Sequence, residues 1–279
     1  THTISIRTMP RNFSGRTGTL DDQVYLCSPE TAIAAAINGK ITDHRDLELE
    51  MNFRYPKWKE PTQIKINKKL LIAPTKASPK LLKGPNIKTL PDFEELQDVL
   101  EIPILLKMGD DISTDGILKA GADVLPLRSN IPELSKYAYY AIDQSFYERA
   151  IQNQKEHTGF CIIAGDNYAQ GSSREHAALS PRYLGQKFAI AKSYARIGWQ
   201  NLINFGIIPF EFKNTSDWDK LEQDDILRIE GLRIAIQNRD SITAIVVGKN
   251  IKIPLEYNIS ERQVAHILKG GIINFVKQK

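Results

Sequence analysis

The hydrophobic positions of this chain fall into short apolar runs separated by polar, Gly-containing loops. "EIPILLKMGDDISTDGI" is an apolar strand running into an Asp-rich turn, and "TGFCIIAGDN" is a second buried strand entering a Gly-rich loop. "SREHAALSPRYLG" reads as a helix broken or re-aimed at Pro181. "KFAIAKSYARIGWQNLINFGIIPFEF" alternates strand, helix ended near Gly206, and strand. Strand, helix and strand in that rhythm predict an α/β domain with a largely buried sheet. "DILRIEGLRIAI" suggests a hairpin turning at Glu230-Gly231, and "TAIVVGKNIKIPL" adds further strands. A capping box, Ser260 with Gln263, starts a final helix "ERQVAHILK" that Gly270 and Gly271 end. No internal repeat is visible.

Upstream the pattern differs. "SIRTMPRNFSGRTGT" is polar and reads as a loop, and "VYLC" reads as a strand. Ser28 is a natural N-cap with Pro29 at the first helical position, and Gly39 can close the helix in the left-handed conformation, so a helix is expected from about Pro29 to Asn38. From Lys57 to Lys88 there are nine lysines and one acid, Glu60, punctuated by Pro61, Pro74, Pro79 and Pro85. Prolines at such intervals deny a long helix or a central strand. The stretch reads as a linker with short strands at "IKI" and "LLIA". Its charge could hold an acidic partner, but a solvated connector is the simpler reading. The resulting division is residues 1–55, a linker at 56–99, and a domain at 100–279, with a boundary near residue 100.

Composition narrows the function classes. Of the 279 residues, 42% are hydrophobic and 25% charged, the profile of an ordinary soluble protein. No run approaches the roughly 18 apolar residues of a membrane helix, so no membrane partner is expected. The start carries no signal-peptide pattern, and Thr1 in place of Met suggests a piece of something longer. The two cysteines, Cys27 and Cys161, lie far apart in no metal-ligand spacing, and the five histidines are scattered. That excludes a disulfide framework, predicts no metal ligands in this chain, and fits a reducing compartment, here the cytoplasm. The net charge of +4 does not imply a nucleic-acid partner.

Candidate chemistry concentrates in "GDNYAQGSSREHAALSPRYLG". A strand delivers the chain to a loop in which Gly165 and Gly171 permit tight turning, and a helix then presents unpaired backbone N–H groups that suit an anion. Arg174 adds a charged fork for a carboxylate. Beside such a site the hydroxyl of Ser172 could ionise transiently and act as a base. The plainer alternative is that Ser173 only caps the helix while Arg174 pairs with a nearby acid. No Ser-His-Asp assignment suggests itself, and His176 reads as a structural hydrogen-bonder.

This segment resembles the swivel-domain signature of the aconitase family (aconitate hydratases, with the wording of the compact bacterial type). "SYARIGWQNLINFGIIPFEF" is similar to the helix and strand that follow it. "GDDISTDGILKAGADVLPLRSNIPELS" resembles the opening of the swivel domain, and "PRNFSGRTGTLDDQVYLCSPETAIAAAINGKITD" looks like the end of the preceding domain. The resemblance covers nearly the whole chain, least across the linker and the last forty residues. It implies an α/β fold: a swivel domain with a mixed, barrel-like sheet and flanking helices, preceded by the tail of an α/β domain. The implied activity is that of a hydro-lyase interconverting citrate and isocitrate through cis-aconitate. Alternatives within the superfamily are a homoaconitase or an isopropylmalate isomerase, and outside it an RNA-binding module, which only the lysine run favours.

Carried over by position, the resemblance implies that Arg11 and Arg16 bind substrate carboxylates, with Arg128 a third substrate arginine from the swivel domain. Ser172 would be the catalytic base and, with Ser173 and Arg174, would hold substrate, and Asp115 would orient catalytic groups. Gly116 departs from the histidine the family usually carries after that aspartate. The resemblance also implies a 4Fe–4S cluster, whose ligands this sequence lacks. The expected partners are therefore a tricarboxylate substrate and separate cluster-bearing domains, and the chain alone is expected to be inactive.

Overall fold

The structure, a computed structural model, describes residues 3–9, 21–52, 57–74 and 80–278. Contacts divide the chain into two units, Thr1–Leu82 and Lys83–Lys279. In the first unit, strands β1 (Ile4–Arg7) and β2 (Gln23–Leu26) pair in parallel, so a strand replaces part of the loop that the opening residues suggest. Helix α1 (Pro29–Asn38) has the expected bounds: the Ser28 hydroxyl accepts from Thr31 N at 3.2 Å, and Gly39 closes it at φ 69°. Helix α2 (His44–Met51) is capped by Asp43, whose carboxylate accepts from Arg45 N at 2.9 Å. The segments "IKI" and "LLIA" form no strand; a single 3-10 turn, Lys68–Leu70, interrupts an exposed chain. Side chains such as Ile66 and Ile72 are exposed there.

The second unit is a closed barrel. Its strands are β3 (Leu100–Lys107), β4 (Phe160–Ala164), β5 (Gln186–Ala191), β6 (Ile208–Phe212), β7 (Ile226–Ile229), β8 (Ile242–Val246) and β9 (Ile251–Glu256), in the spatial order β3-β4-β5-β6-β9-β8-β7. Strands β3 to β6 run parallel, and β9, β8 and β7 close the sheet with antiparallel pairs. This mixed barrel is the fold class the sequence suggests.

The side-chain alternation of strands explains the two hydrophobic clusters. Ile102 and Ile104, Cys161 and Ile163, Phe188 and Ile190, and Ile208 and Phe210 belong to one cluster, together with Leu227, Ala244 and Ile253 of the antiparallel strands. The alternate residues Ile162, Ala164, Ala189 and Ala191 belong to the other, with Phe146, Ala178 and Leu179 from the covering helices. Parallel strands are thus buried on both faces, which is why "FCIIA" and "QKFAIA" show no polar alternation. Strands β8 and β9 alternate buried with exposed positions, so their outer face meets solvent.

The helices of this unit are α3 (Thr114–Ile117), α4 (Ile131–Leu134), α5 (Phe146–Glu156), α6 (His176–Tyr183), α7 (Arg196–Asn204), α8 (Leu232–Asn238), α9 (Glu261–Leu268) and α10 (Ile272–Lys277). Three expectations are corrected here. The hairpin at Glu230-Gly231 is instead a strand-to-helix turn. Leu232 and Ile236 are buried four residues apart while Ile234 is 60% exposed, a helical rather than a strand alternation. Asp98 starts that helix by accepting from Leu232 N and Arg233 N. Pro181 lies inside α6 without ending it. The capping box on Ser260 and Gln263 is present, but α9 is not the final helix, because the chain restarts after Gly270 and Gly271 as α10. Among the described residues, no helix is long and apolar enough to cross a membrane.

The barrel unit begins at Lys83, ahead of residue 100, because the segment before β3 is packed onto it. Leu90 and Phe93 join one hydrophobic cluster and Leu96 the other. Arg182, buried in α6, donates to Glu94 O at 3.1 Å, and Lys187 contacts the Glu94 carboxylate. The last helix meets the same segment: Asn274 Nδ2 donates to Phe93 O at 2.6 Å, and Lys277 pairs with Asp92. If the interior of the barrel carries the unit's stability, Phe188→Ala lowers it by about 3–5 kcal/mol in urea unfolding. A loss near zero would place Phe188 outside the core.

Candidate functional site

Three parallel strands end side by side, and their C-terminal loops are joined by hydrogen bonds that continue the ladder. After β3 and β4, Gly165 N donates to Gly109 O at 2.9 Å, Asp111 N to Asp166 O at 2.8 Å, and Thr114 N to Gln170 O at 2.8 Å. After β4 and β5, Tyr168 N donates to Ser193 O at 3.0 Å and Ala195 N to Tyr168 O at 2.9 Å. Side chains reinforce the seam: the Asp110 carboxylate accepts from Asp166 N at 2.7 Å, and Ser193 Oγ donates to Asp166 Oδ1 at 3.0 Å while accepting from Asn167 N. The C-terminal ends of parallel strands are where α/β sheets place ligands.

Close approach fixes the glycines. A Cβ on Gly165 would fall 1.9 Å from Asp110 Oδ1, and one on Gly198 of α7 would fall 2.4 Å from the Ala169 Cβ. Gly171 has φ 103°, a conformation that side chains rarely adopt. Tyr168 anchors the middle of the loop from inside. It is fully buried, and its hydroxyl lies 2.8 Å from that of Tyr139, which donates to Gln186 Oε1 at 3.0 Å. Burial pushes both phenols above their ordinary range.

On this scaffold Arg174 is held by its own guanidinium. Nη1 donates to Leu118 O at 2.7 Å and Thr114 O at 3.2 Å, and Nη2 pairs with Asp115 Oδ1 at 2.7 Å. Its side chain is only 12% exposed. Asp115 itself sits in α3, whose cap is the Ser113 hydroxyl accepting from Gly116 N at 3.2 Å. Arg128 approaches from the turn before α4 and is exposed; among the described residues its guanidinium has no hydrogen-bond or ion-pair partner. The Arg128 carbonyl lies 3.0 Å from His176 Nε2, so that nitrogen carries the proton and donates. Arg128, Arg174, His176 and Lys119 line one small cleft together with Leu118 and Leu125.

Of the residues singled out in the sequence, the structure therefore brings Arg128, Arg174 and Asp115 together. Ser172 and Ser173 sit on the same loop but are not among the residues lining that cleft; Ser172 is half-buried and its carbonyl accepts from Arg174 N at 2.7 Å. Neither serine caps the helix. The first residue of α6 is His176, preceded by Glu175 with no side-chain cap, so the expected helix start at the serine pair is corrected. The left-handed turn at Gly171 and the inward fork of Arg174 use those residues for loop geometry instead. Arg11 and Arg16 lie outside the described residues. The sequence reading missed Asp110, Asp111, Asn167 and Ser193. Their signal was local, Asp and Asn beside glycines at strand ends, but their partners are distant in the chain.

The family description Aconitase C-terminal domain matches residues 127–215, which include Arg128 and the segment from Ser172 to Arg174. The methanogen homoaconitase small subunit of Methanocaldococcus jannaschii is 34% identical, covering 62% of this chain and 89% of its own length. The chain belongs to the aconitase family. A probable mitochondrial aconitate hydratase of Dictyostelium discoideum is 28% identical over 96% of this chain. This aconitase-family chain spans about two-fifths of the length of that relative, 40%. A crystal structure of 3-isopropylmalate dehydratase from Methanocaldococcus jannaschii aligns with a TM-score of 0.51 at 30% identity, covering 64% of this chain and 94% of that one.

Position 116 is where this aconitase-family sequence carries glycine after the aspartate. The nearest atoms to a Cβ there are Ile112 and Ile142 methyl groups at 3.7 Å and Ser113 Oγ at 3.9 Å, ordinary contact distances, so the backbone accepts a side chain. Gly116→Ala is expected to raise stability by about 0.5–1 kcal/mol, whereas Gly165→Ala lowers it by at least about 1–3 kcal/mol. Thermal unfolding of the two variants checks both signs.

Proposed function

We propose that this chain is the substrate-gripping and proton-abstracting portion of an aconitase-type hydro-lyase, interconverting citrate and isocitrate through cis-aconitate when joined to cluster-bearing domains. The observation that carries the reading is the convergence of Arg128 and Arg174 on one cleft at the C-terminal ends of the parallel strands. Two guanidiniums there suit a substrate with several carboxylates. Arg174 is prepaid in its orientation by Thr114, Leu118 and Asp115, which makes Asp115 the residue that orients it. On the family resemblance, Arg11 and Arg16 are further candidates for binding carboxylates and Ser173 for donating a hydrogen bond to substrate.

Ser172 is then the base. On the family resemblance its Oγ takes the proton from the carbon beside a substrate carboxylate and returns it in the reverse direction. A 4Fe–4S cluster does not fit this chain. Among the described residues no group of three or more His, Cys, Asp or Glu side chains could hold a metal ion. Cys161 is buried in β4 with its thiol toward Pro103 O at 3.6 Å, and Cys27 belongs to the other unit. Any cluster is therefore the property of other domains, and this chain alone is inactive on this reading. The two free thiols suit a reducing compartment, taken here to be the cytoplasm.

The small-subunit relative supports a second substrate assignment, to homoaconitase or isopropylmalate isomerase chemistry. Turnover of citrate, homocitrate and isopropylmalate by the assembled enzyme separates the three, and a preference for the two tricarboxylates over isopropylmalate is expected, because a cation at Arg128 suits an arm that ends in a carboxylate and not an apolar one. Ser172→Ala is expected to abolish turnover, by about 10³-fold or more, with substrate affinity and cluster content unchanged. Near-normal turnover in that variant removes Ser172 from the chemistry.

A further inference from the structure

Arg174 and Arg128 are positioned by opposite means. The guanidinium of Arg174 is fixed by three hydrogen bonds, two of them to backbone carbonyls. That of Arg128 has no partner among the described residues, so its location depends on the backbone turn from which it projects. Within the turn, Leu127 N donates to Val124 O at 3.0 Å and Asn130 N to Leu127 O at 2.8 Å, while Arg128 N reaches Leu125 O only at 3.4 Å. Three carbonyls of this turn are also held from outside. Asn86 Nδ2 donates to Pro126 O at 2.6 Å, His176 Nε2 to Arg128 O at 3.0 Å, and Lys88 N to Ser129 O at 2.8 Å. Asn86 is held in turn, because its Oδ1 accepts from the buried Asn130 Nδ2 at 3.0 Å.

Two of these three clamps come from residues 86–88, the end of the lysine- and proline-rich stretch that reads as a passive connector. We propose that Asn86 is a positioning residue for Arg128: with Lys88 it fixes the turn that carries the cleft's unpaired arginine, so the incoming connector sets how well the enzyme holds the variable arm of its substrate. The inference rests on reading Arg128 as a substrate arginine. The side chain of Asn86 has both functions the position needs, a donor for Pro126 O and an acceptor for Asn130. Asp keeps only the acceptor and would set an anionic oxygen against a carbonyl. Arg128 grips a carboxylate that takes no part in bond making, so losing its placement weakens binding in the ground and transition states alike. The expected signature is therefore in KM and not in kcat.

The test uses the assembled enzyme with citrate. Asn86→Ala raises KM about tenfold and leaves kcat within about twofold, the effect of one lost hydrogen bond passed on to a charged contact. Asn86→Asp is at least as poor, although it is nearly isosteric. In the Arg128→Gln background, Asn86→Ala adds little further, because the two changes act through one contact. Additive effects, or a kcat loss with KM unchanged, overturn the proposal. Hydrogen exchange of the chain without substrate separates this failure from failure of the hydro-lyase reading. Asn86→Ala speeds exchange at the amides of Leu127, Arg128 and Asn130 while those of β4 and β5 keep their protection; unaltered exchange at the turn overturns the clamp whatever the enzyme's substrate. If Arg128→Gln leaves KM unaltered, the substrate reading of Arg128 falls and the inference falls with it.

Discussion

The seam between the loops that follow β3, β4 and β5 is the constraint on which the site depends. Parallel strands ending together leave three excursions whose backbone donors and acceptors face each other, and pairing them satisfies groups that would otherwise need other partners. The chain satisfies them by extending the ladder past the last strand residues, through Gly109 with Gly165, Asp111 with Asp166, and Tyr168 with Ser193 and Ala195. Once that ladder exists, Asp115 and Arg174 face each other with little freedom left. The carboxylate–guanidinium pair follows from the fold and does not create it.

Legibility in the sequence tracked the range of the interactions. The capped helix from Pro29 to Asn38 and the capping box at Ser260 were readable because cap and helix lie within a few residues. The doubly buried strands were readable because parallel pairing removes polar alternation, leaving "FCIIA" and "KFAIA" as plain apolar runs. The helix within "EGLRIAI" was not. Its alternation of Leu232, Ile234 and Ile236 fits a strand as well as a helix, and the decision came from Asp98, more than a hundred residues earlier. The same holds within the site. Arg174 and Asp115 could be named from motifs, but the start of α6 at His176 depends on a left-handed Gly171 and on carbonyls of a distant loop. Closure of the barrel through β9, β8 and β7 is likewise a long-range event that local pattern does not announce.

The two arginines of the cleft differ in how the chain holds them. One is locked before any ligand arrives; the other projects from a turn braced on both sides. A rigid cation defines a register for the substrate, and a tunable one can select among arms of different length.

The segment from Asp92 to Glu94 and the final helix touch one another through Asn274, Lys277 and the close approach of Gly270 to Glu94. A folding unit whose entrance and exit meet presents a single point of attachment to whatever precedes it. Such a unit can be made as a separate subunit or fused to a longer polypeptide without rebuilding its interior. The geometry thus makes gene fission and fusion structurally inexpensive for this fold.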